Sequence, residues 1–186
     1  MPRFPVHAVD DAPEASRESL RKLQTKFGKV LNIHGEMAHA PVVLAAYTGI
    51  QQAIAEHGSF DARIREAIAL AVGAVDNCAY CQSAHTAAGR QAGWSLEQTI
   101  ALRGGKQIDG EDKLGTLLAV ARQIAGNVGE VDEGTWQQAL QAGWAVGELS
   151  ELFTHVVANL FTNYFNHYAH TELDIPAAPG LAGGTV

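Results

Sequence analysis

Hydrophobic positions along this chain recur every three or four residues, and no stretch alternates with period two in Val, Ile or Thr. Spacing of that kind belongs to amphipathic helices, so the pattern predicts an all-α protein. The first helix is expected near Ser16 to Val30, after a Pro-containing arm. Pro41 stands where proline favours a first turn, and its helix runs through Ala45, Ala46, Ile50 and Ile54 to about Glu56, with Gly58 as the stop. Asp61 is placed to cap a third helix, whose Ile64, Ala67, Ile68, Ala71, Val72 and Val75 form one stripe. Leu70, Gly73 and Ala74 fill its other faces, which predicts a central position. A fourth helix capped by Asn77 is expected to reach about Gln91 and close at Gly93. Ser95 and Gln98 read as a capping box for a short helix that ends at Gly104 and Gly105. Asp109 or Gly110 opens a helix to Ile124, Asp132 opens another to about Gln141, and a long last helix, or a pair, covers Ala145 to Thr171.

This divides the chain into an arm over residues 1–16, one helical domain over 17–175 and a tail over 176–186. The tail, rich in Pro, Gly and Ala, is expected to be mobile or to lie on a neighbour. Ala92-Gly93-Trp94-Ser95 returns as Ala142-Gly143-Trp144-Ala145, which is either chance in an Ala- and Gly-rich chain or the trace of two similar helical halves. A length of 186 residues suits one domain, and 47% hydrophobic residues suffice for a core. Charged residues make up only 18%, against roughly 25% in ordinary soluble domains, so part of the surface is expected to be covered in a homo-oligomer. The formal charge of -7 and the lack of a basic run argue against nucleic acid as a partner. Residues 67–75, the longest apolar stretch of note, are too few to cross a bilayer, and Met1 to Leu20 lacks a secretory apolar core. A cytoplasmic protein with no membrane partner is the expectation.

Cys78 and Cys81 are the only cysteines, and a close pair in a reducing compartment is more often redox-active or metal-binding than a structural staple. With Asn77 as the cap, Cys78 falls in the first turn, Cys81 one turn later and His85 four residues beyond on the same face. The partial positive charge of a helix N-terminus favours thiolate over thiol. Two cysteines so spaced have Cα atoms about 5 to 6 Å apart, within disulfide range. Closing so short a loop adds only about 2 kcal/mol to stability, which favours a redox role over a structural one. Zinc is the competing reading, with Cys78, Cys81, His85 and Glu66 as donors, but structural zinc sites draw a second Cys or His pair, and no further cysteine exists. Neither metal nor cofactor is therefore expected. Glu66, at the start of an otherwise apolar helix, is placed to orient His85 or to act as a base. His155, His167, His170 and Glu172 are weaker metal candidates, read as exposed or contact residues. Asn159, Asn163 and Asn166 form an amide stripe that either lines a cleft or bonds across a helix interface, the latter being favoured. Trp94, Trp136 and Trp144 read as packing residues.

Glu66, then Cys-Ala-Tyr-Cys twelve residues later, then His85 four residues after Cys81, resembles the signature of AhpD-like alkylhydroperoxidases in the carboxymuconolactone decarboxylase superfamily. The similarity runs from about Gln24 to Asp174 and takes in the Ala-Gly-Trp turns and the Asn-rich last helix. The resemblance implies an all-helical fold assembled as trimers or hexamers, and thiol-dependent reduction of organic hydroperoxides. Cys81 would be the peroxidatic thiol, Cys78 its proton-relay and resolving partner, and Glu66 and His85 the activating groups. The disulfide would be re-reduced by a dithiol such as a lipoyl carrier protein. Tyr80 departs from the pattern, because well-studied members carry histidine between the cysteines, and a phenol titrating near 10 cannot relay protons as imidazole does. Lowering a thiol pKa by about two units gains roughly 25-fold in thiolate but loses about 6- to 10-fold in nucleophilicity. Protonating the departing alkoxide contributes about 10²- to 10⁴-fold, so the acid and base groups should matter more than thiol acidity. Acid/base lactone decarboxylation, which needs no thiols, and a redox-sensing or zinc-binding interaction module are the alternatives. The peroxidase reading requires the two thiols to face each other where an oxidant can enter.

Overall fold

The computed structural model describes residues 1–181, which form nine helices and no strand. They are α1 (Glu14–Phe27), α2 (Asn32–Met37), α3 (Pro41–His57), α4 (Ala62–Val75), α5 (Ala79–Gln91), α6 (Leu96–Arg103), α7 (Asp112–Gly126), α8 (Glu133–Gln141) and α9 (Val146–Ala169). Asp61 caps α4 by accepting from the Ile64 N–H at 2.8 Å, and every residue from Ala67 to Gly73 is buried. An apolar helix with no polar face can only sit inside, and α4 packs against α5, α6, α7 and α9. Its apolar stripe joins Leu117, Ala121, Leu152 and Val156 in one core. A second core lies under α1, α2 and α3, built on Leu20, Leu23, Ile33, Met37 and Leu44, and Cys78, Tyr80 and Cys81 form its floor. The sulfurs thus sit between two packed layers.

Several boundaries differ from the sequence expectation. α1 stops at Phe27, because Gly28 turns left-handed at φ 76°. α2 has no counterpart in the sequence reading, which passes from Val30 to Pro41, and its Ile33 to Met37 are all buried. Gly35 is required there, since a Cβ would come within 2.5 Å of Val6 and 2.7 Å of the His7 carbonyl, where the N-terminal arm crosses. α7 begins after Glu111 rather than at Asp109 or Gly110, and α9 is one unbroken helix of 24 residues.

The repeated Ala-Gly-Trp turns are structurally equivalent. Gly93 and Gly143 adopt φ of 100° and 90°. Trp94 donates its indole N–H to the Arg63 carbonyl, and Trp144 to that of Lys113, each at 2.9 Å. Arg63 lies over one indole and Lys113 over the other. α4–α5–α6 and α7–α8–α9 therefore repeat one helical unit. The N-terminal arm is tied down by the Arg3 N–H, which donates to the Ala169 carbonyl at 2.8 Å. The tail, expected to be mobile or on a neighbour, instead lies on its own chain as far as Leu181. The Ala178 N–H donates to Ser83 Oγ and Arg103 donates to the Pro179 carbonyl. The rest of the tail, residues 182–186, lies outside the described residues. Among the described residues, no helix is long and apolar enough to cross a membrane.

Candidate active site

The site is built at the junction of α4 and α5. Asn77 was expected to cap α5, but it terminates α4 instead. At φ 51° it occupies the left-handed position, its N–H bonding the Ala74 carbonyl and the Cys78 N–H the Gly73 carbonyl. That pair of bonds is a Schellman closure, in which Asn substitutes for the usual Gly. The cap of α5 is therefore Cys78 itself, whose Sγ accepts the Cys81 N–H at 3.3 Å. A sulfur in this role sits directly on the positive end of the helix.

Both cysteines are free, and both are buried, at 1% and 3% exposure. A hydrogen bond from the Cys81 thiol lowers the Cys78 thiol to about 7; burial opposes this, and the Cys81 N–H and Asn166 amide assist it. Cys81 moves the other way, since donating to Cys78 and being buried both hold its proton on. Of the two, Cys78 is the more acidic thiol and Cys81 the one that holds its proton. The two residues stand together, but the open access for an oxidant that the peroxidase reading requires is not met, since both are buried. Met37, Leu44 and Tyr47 from α2 and α3, and Phe161 from α9, belong to the same apolar cluster as the two cysteines.

Glu66 lies in the second turn of α4 rather than its first, and its Oε2 stands 2.7 Å from His85 Nδ1. Burial alone would lower the imidazole, but the ion pair outweighs it and raises His85 above its ordinary value, with further help from the charge on Cys78. Among the described residues, His85 makes no hydrogen bond to either sulfur. Tyr80 turns away from the sulfurs altogether. Its hydroxyl donates to Asp174 at 2.7 Å, and Asp174 also holds Lys29 at 2.9 Å. Burial, reinforced by that carboxylate, pushes the phenol far above its usual range, so it anchors the C-terminal segment as a neutral donor.

Among the described residues, no group of three or more His, Cys, Asp or Glu side chains is arranged to hold a metal ion. Of the weaker candidates, His155 is buried against Glu151 and His167 bonds the Asp76 carbonyl.

The sequence model of the carboxymuconolactone decarboxylase family matches residues 41–123, the stretch that carries Glu66, both cysteines and His85. That stretch, under half of the chain, is what is similar to the family. Solved structures extend the likeness to nearly the whole chain. A peroxidase-related protein with an AhpD core from Ralstonia eutropha JMP134 superposes with TM-score 0.81 at 20% identity, over 93% of this chain and 92% of that one. A variant of the debrominase Bmp8 in complex with 2,3,4-tribromopyrrole follows at 0.79 and 16%, covering 92% and 91%. A peroxidase-related protein from Silicibacter sp. TM1040 gives 0.74 and 20%, covering 91% and 89%. No curated protein matches the chain by sequence. The fold is AhpD-like.

What the sequence missed in this AhpD-like site comes from α9, beyond the family match. Asn166 donates its Nδ2 to Cys81 Sγ at 3.2 Å and reaches Cys78 Sγ at 3.7 Å. Asn163 donates to Asp76 at 2.6 Å, and Cys81 Sγ stands 4.0 Å from Thr162 Oγ1. The amide stripe, read as a helix contact, does cross a helix interface, but that interface is the thiol site. Its spacing was the only available signal.

Proposed function

We propose that the chain is a dithiol peroxidase that reduces organic hydroperoxides. The observation that carries this is the convergence of two free sulfurs on one amide, Asn166 Nδ2 lying 3.2 Å from Cys81 Sγ and 3.7 Å from Cys78 Sγ, beside a Glu–His pair. Cys78 takes the proton of Cys81, and the resulting Cys81 thiolate attacks the terminal oxygen of the hydroperoxide. The O–O bond breaks, Cys81 becomes a sulfenic acid, and the alkoxide leaves as alcohol with a proton from Cys78 or, by relay, from His85. Cys78 thiolate then attacks the Cys81 sulfur, the S–O bond breaks, and hydroxide departs as water with a second proton, supplied by relay from His85 and regained there from solvent. The sum is hydroperoxide plus dithiol giving alcohol, water and disulfide. A small dithiol such as a lipoyl group on a carrier protein restores the thiols by exchange. Glu66 holds His85 charged and oriented, and Tyr80 anchors the C-terminal segment over α5 in place of the histidine relay. The acting protein is a homo-oligomer, a trimer or hexamer, in the cytoplasm.

Dithiol-dependent consumption of cumene hydroperoxide by wild type, Cys81→Ser and Cys78→Ser tests this. Wild type should turn over, Cys81→Ser should fall to background, and Cys78→Ser should accumulate a sulfenic acid without turnover. Equal rates in all three overturn the proposal. The same two electrons can cleave a C–Br bond to give C–H, bromide and disulfide, so 2,3,4-tribromopyrrole is the competing substrate. Bromide release faster than hydroperoxide loss would replace this reading.

A further inference from the structure

The Asn166 amide is one-sided. Its nitrogen is committed to the two sulfurs, while Oδ1 is buried with no hydrogen-bond partner among the described residues. The whole residue is 5% exposed, so solvent does not supply the missing donor. Asn163, one turn earlier on α9, repeats the arrangement, with nitrogen on Asp76 and a buried, unpartnered Oδ1. Buried acceptors left open are costly and uncommon, and such a group at a reactive centre marks a place where a ligand brings the donor. Thr162 does not supply it, because its hydroxyl hydrogen goes to the Asn159 carbonyl at 3.0 Å.

A hydroperoxide carries one O–H, on the oxygen a thiolate attacks. The two heteroatoms of one amide share a carbon, so an oxygen approaching the sulfur held by Nδ2 has its hydrogen within reach of Oδ1. We propose that Asn166 is a catalytic residue which steadies the attacking sulfur with Nδ2 and accepts the hydroperoxide hydrogen with Oδ1. This rests on the peroxidase reading and narrows it: the substrate must present O–H, so hydroperoxides are taken and dialkyl peroxides are not. The contact persists through the step. As the S–O bond forms and the O–O bond breaks, the same hydrogen becomes that of the Cys81 sulfenic acid, still on Oδ1, and the alkoxide leaves with a proton from Cys78.

Two variants separate the halves of the amide. Asn166→Asp keeps the shape and the acceptor, removes the donor and adds a negative charge, so its upward shift counts for the donor only where Asn166→Leu, which removes donor and acceptor without adding charge, shifts the titration upward as well. The readouts are the ultraviolet titration of the thiolate and single-turnover rates with cumene hydroperoxide and with methyl methanethiosulfonate, which has neither O–H nor N–H. Asn166→Asp should shift the thiol titration upward by about one pH unit. Asn166→Leu should slow the hydroperoxide at least about 10-fold more than the thiosulfonate. An unchanged titration in Asn166→Asp or in Asn166→Leu overturns the donor role. Equal slowing toward both reagents in Asn166→Leu overturns the acceptor role. Should Asn166→Leu fail to fold by circular dichroism, Asn166→Ala takes its place in the same comparison. A wild type that reacts with the thiosulfonate but never with hydroperoxide overturns the peroxidase reading and the acceptor role with it, while the titration still decides the donor role.

Discussion

At the scale of single residues, the charge balance of the site turns on His85 and Cys78. His85 keeps its proton above the ordinary imidazole range because Glu66 outweighs its burial. A group whose folded pKa is raised stabilises the fold fully below its unfolded value, about 6.5, and that contribution is lost as pH rises through the folded value. Glu66→Gln should therefore cost about 1 kcal/mol near pH 5.5 and almost nothing at about pH 9, as read by urea denaturation at both values. Activity should respond on both limbs. It rises through about 7 as Cys78 ionises, and falls where His85 loses its proton. In Glu66→Gln, burial is opposed only by the charge on Cys78, and the falling limb moves to lower pH. A variant whose alkaline limb stays in place would show that His85 does not supply the proton. Tyr80 has no part in either limb, its hydroxyl being held as a neutral donor by Asp174.

Among the elements, the α4–α5 junction decides where the sulfurs stand, and it was only partly legible in the sequence. The periodic stripe of α4, the Asp61 cap and the Ser95 capping box were read correctly, since each rests on local chemistry. Asn77 was misassigned by one position because Asn serves equally well as an N-cap and as a left-handed C-terminal residue, and only the Gly73 and Ala74 carbonyls distinguish the two. The shift matters chemically: it makes Cys78 the cap and puts its sulfur on the Cys81 N–H. Glu66, Cys78, Cys81 and His85 were visible because they share two adjacent helices. Asn166 joins them from a position 85 residues beyond Cys81, a pairing that no local pattern encodes. If the left-handed turn places the cap, Asn77→Gly should leave stability within a few tenths of a kcal/mol and preserve the depressed Cys78 titration. Asn77→Val should cost about 1 to 2 kcal/mol and raise that titration, because a β-branched residue resists positive φ. Thermal denaturation and thiol titration check both; a silent Asn77→Val would mean the junction is positioned by packing alone.

For the whole molecule, the question is what covers the outer face of α9. The helix packs on α3, α4 and α7 and carries Asn163 and Asn166 inward, whereas Val146, Phe153 and Tyr164, in steps of seven and eleven residues, stand exposed along one outer line, with half-buried Val157 beside them. Phe153 and Tyr164 are 55% and 56% exposed, and Val146 is 65% exposed. Steps of that size keep one face of a helix in line, so the residues form a continuous apolar seam rather than scattered exposure. A chain with 18% charged residues has few charges to spare for hiding such a seam. A second copy is the proposed cover, since closed symmetric assemblies bury equivalent patches on every subunit. Sedimentation equilibrium should give a mass of several chains for wild type, and Phe153→Glu combined with Tyr164→Glu should shift it towards one chain. Because these side chains point away from the Asn163 and Asn166 face, the dissociated double variant should retain the thiol titration of wild type. A wild type that sediments as a single chain would remove the oligomer from this account, and a dissociated variant with an altered thiol titration would mean that the assembly itself holds the site in place.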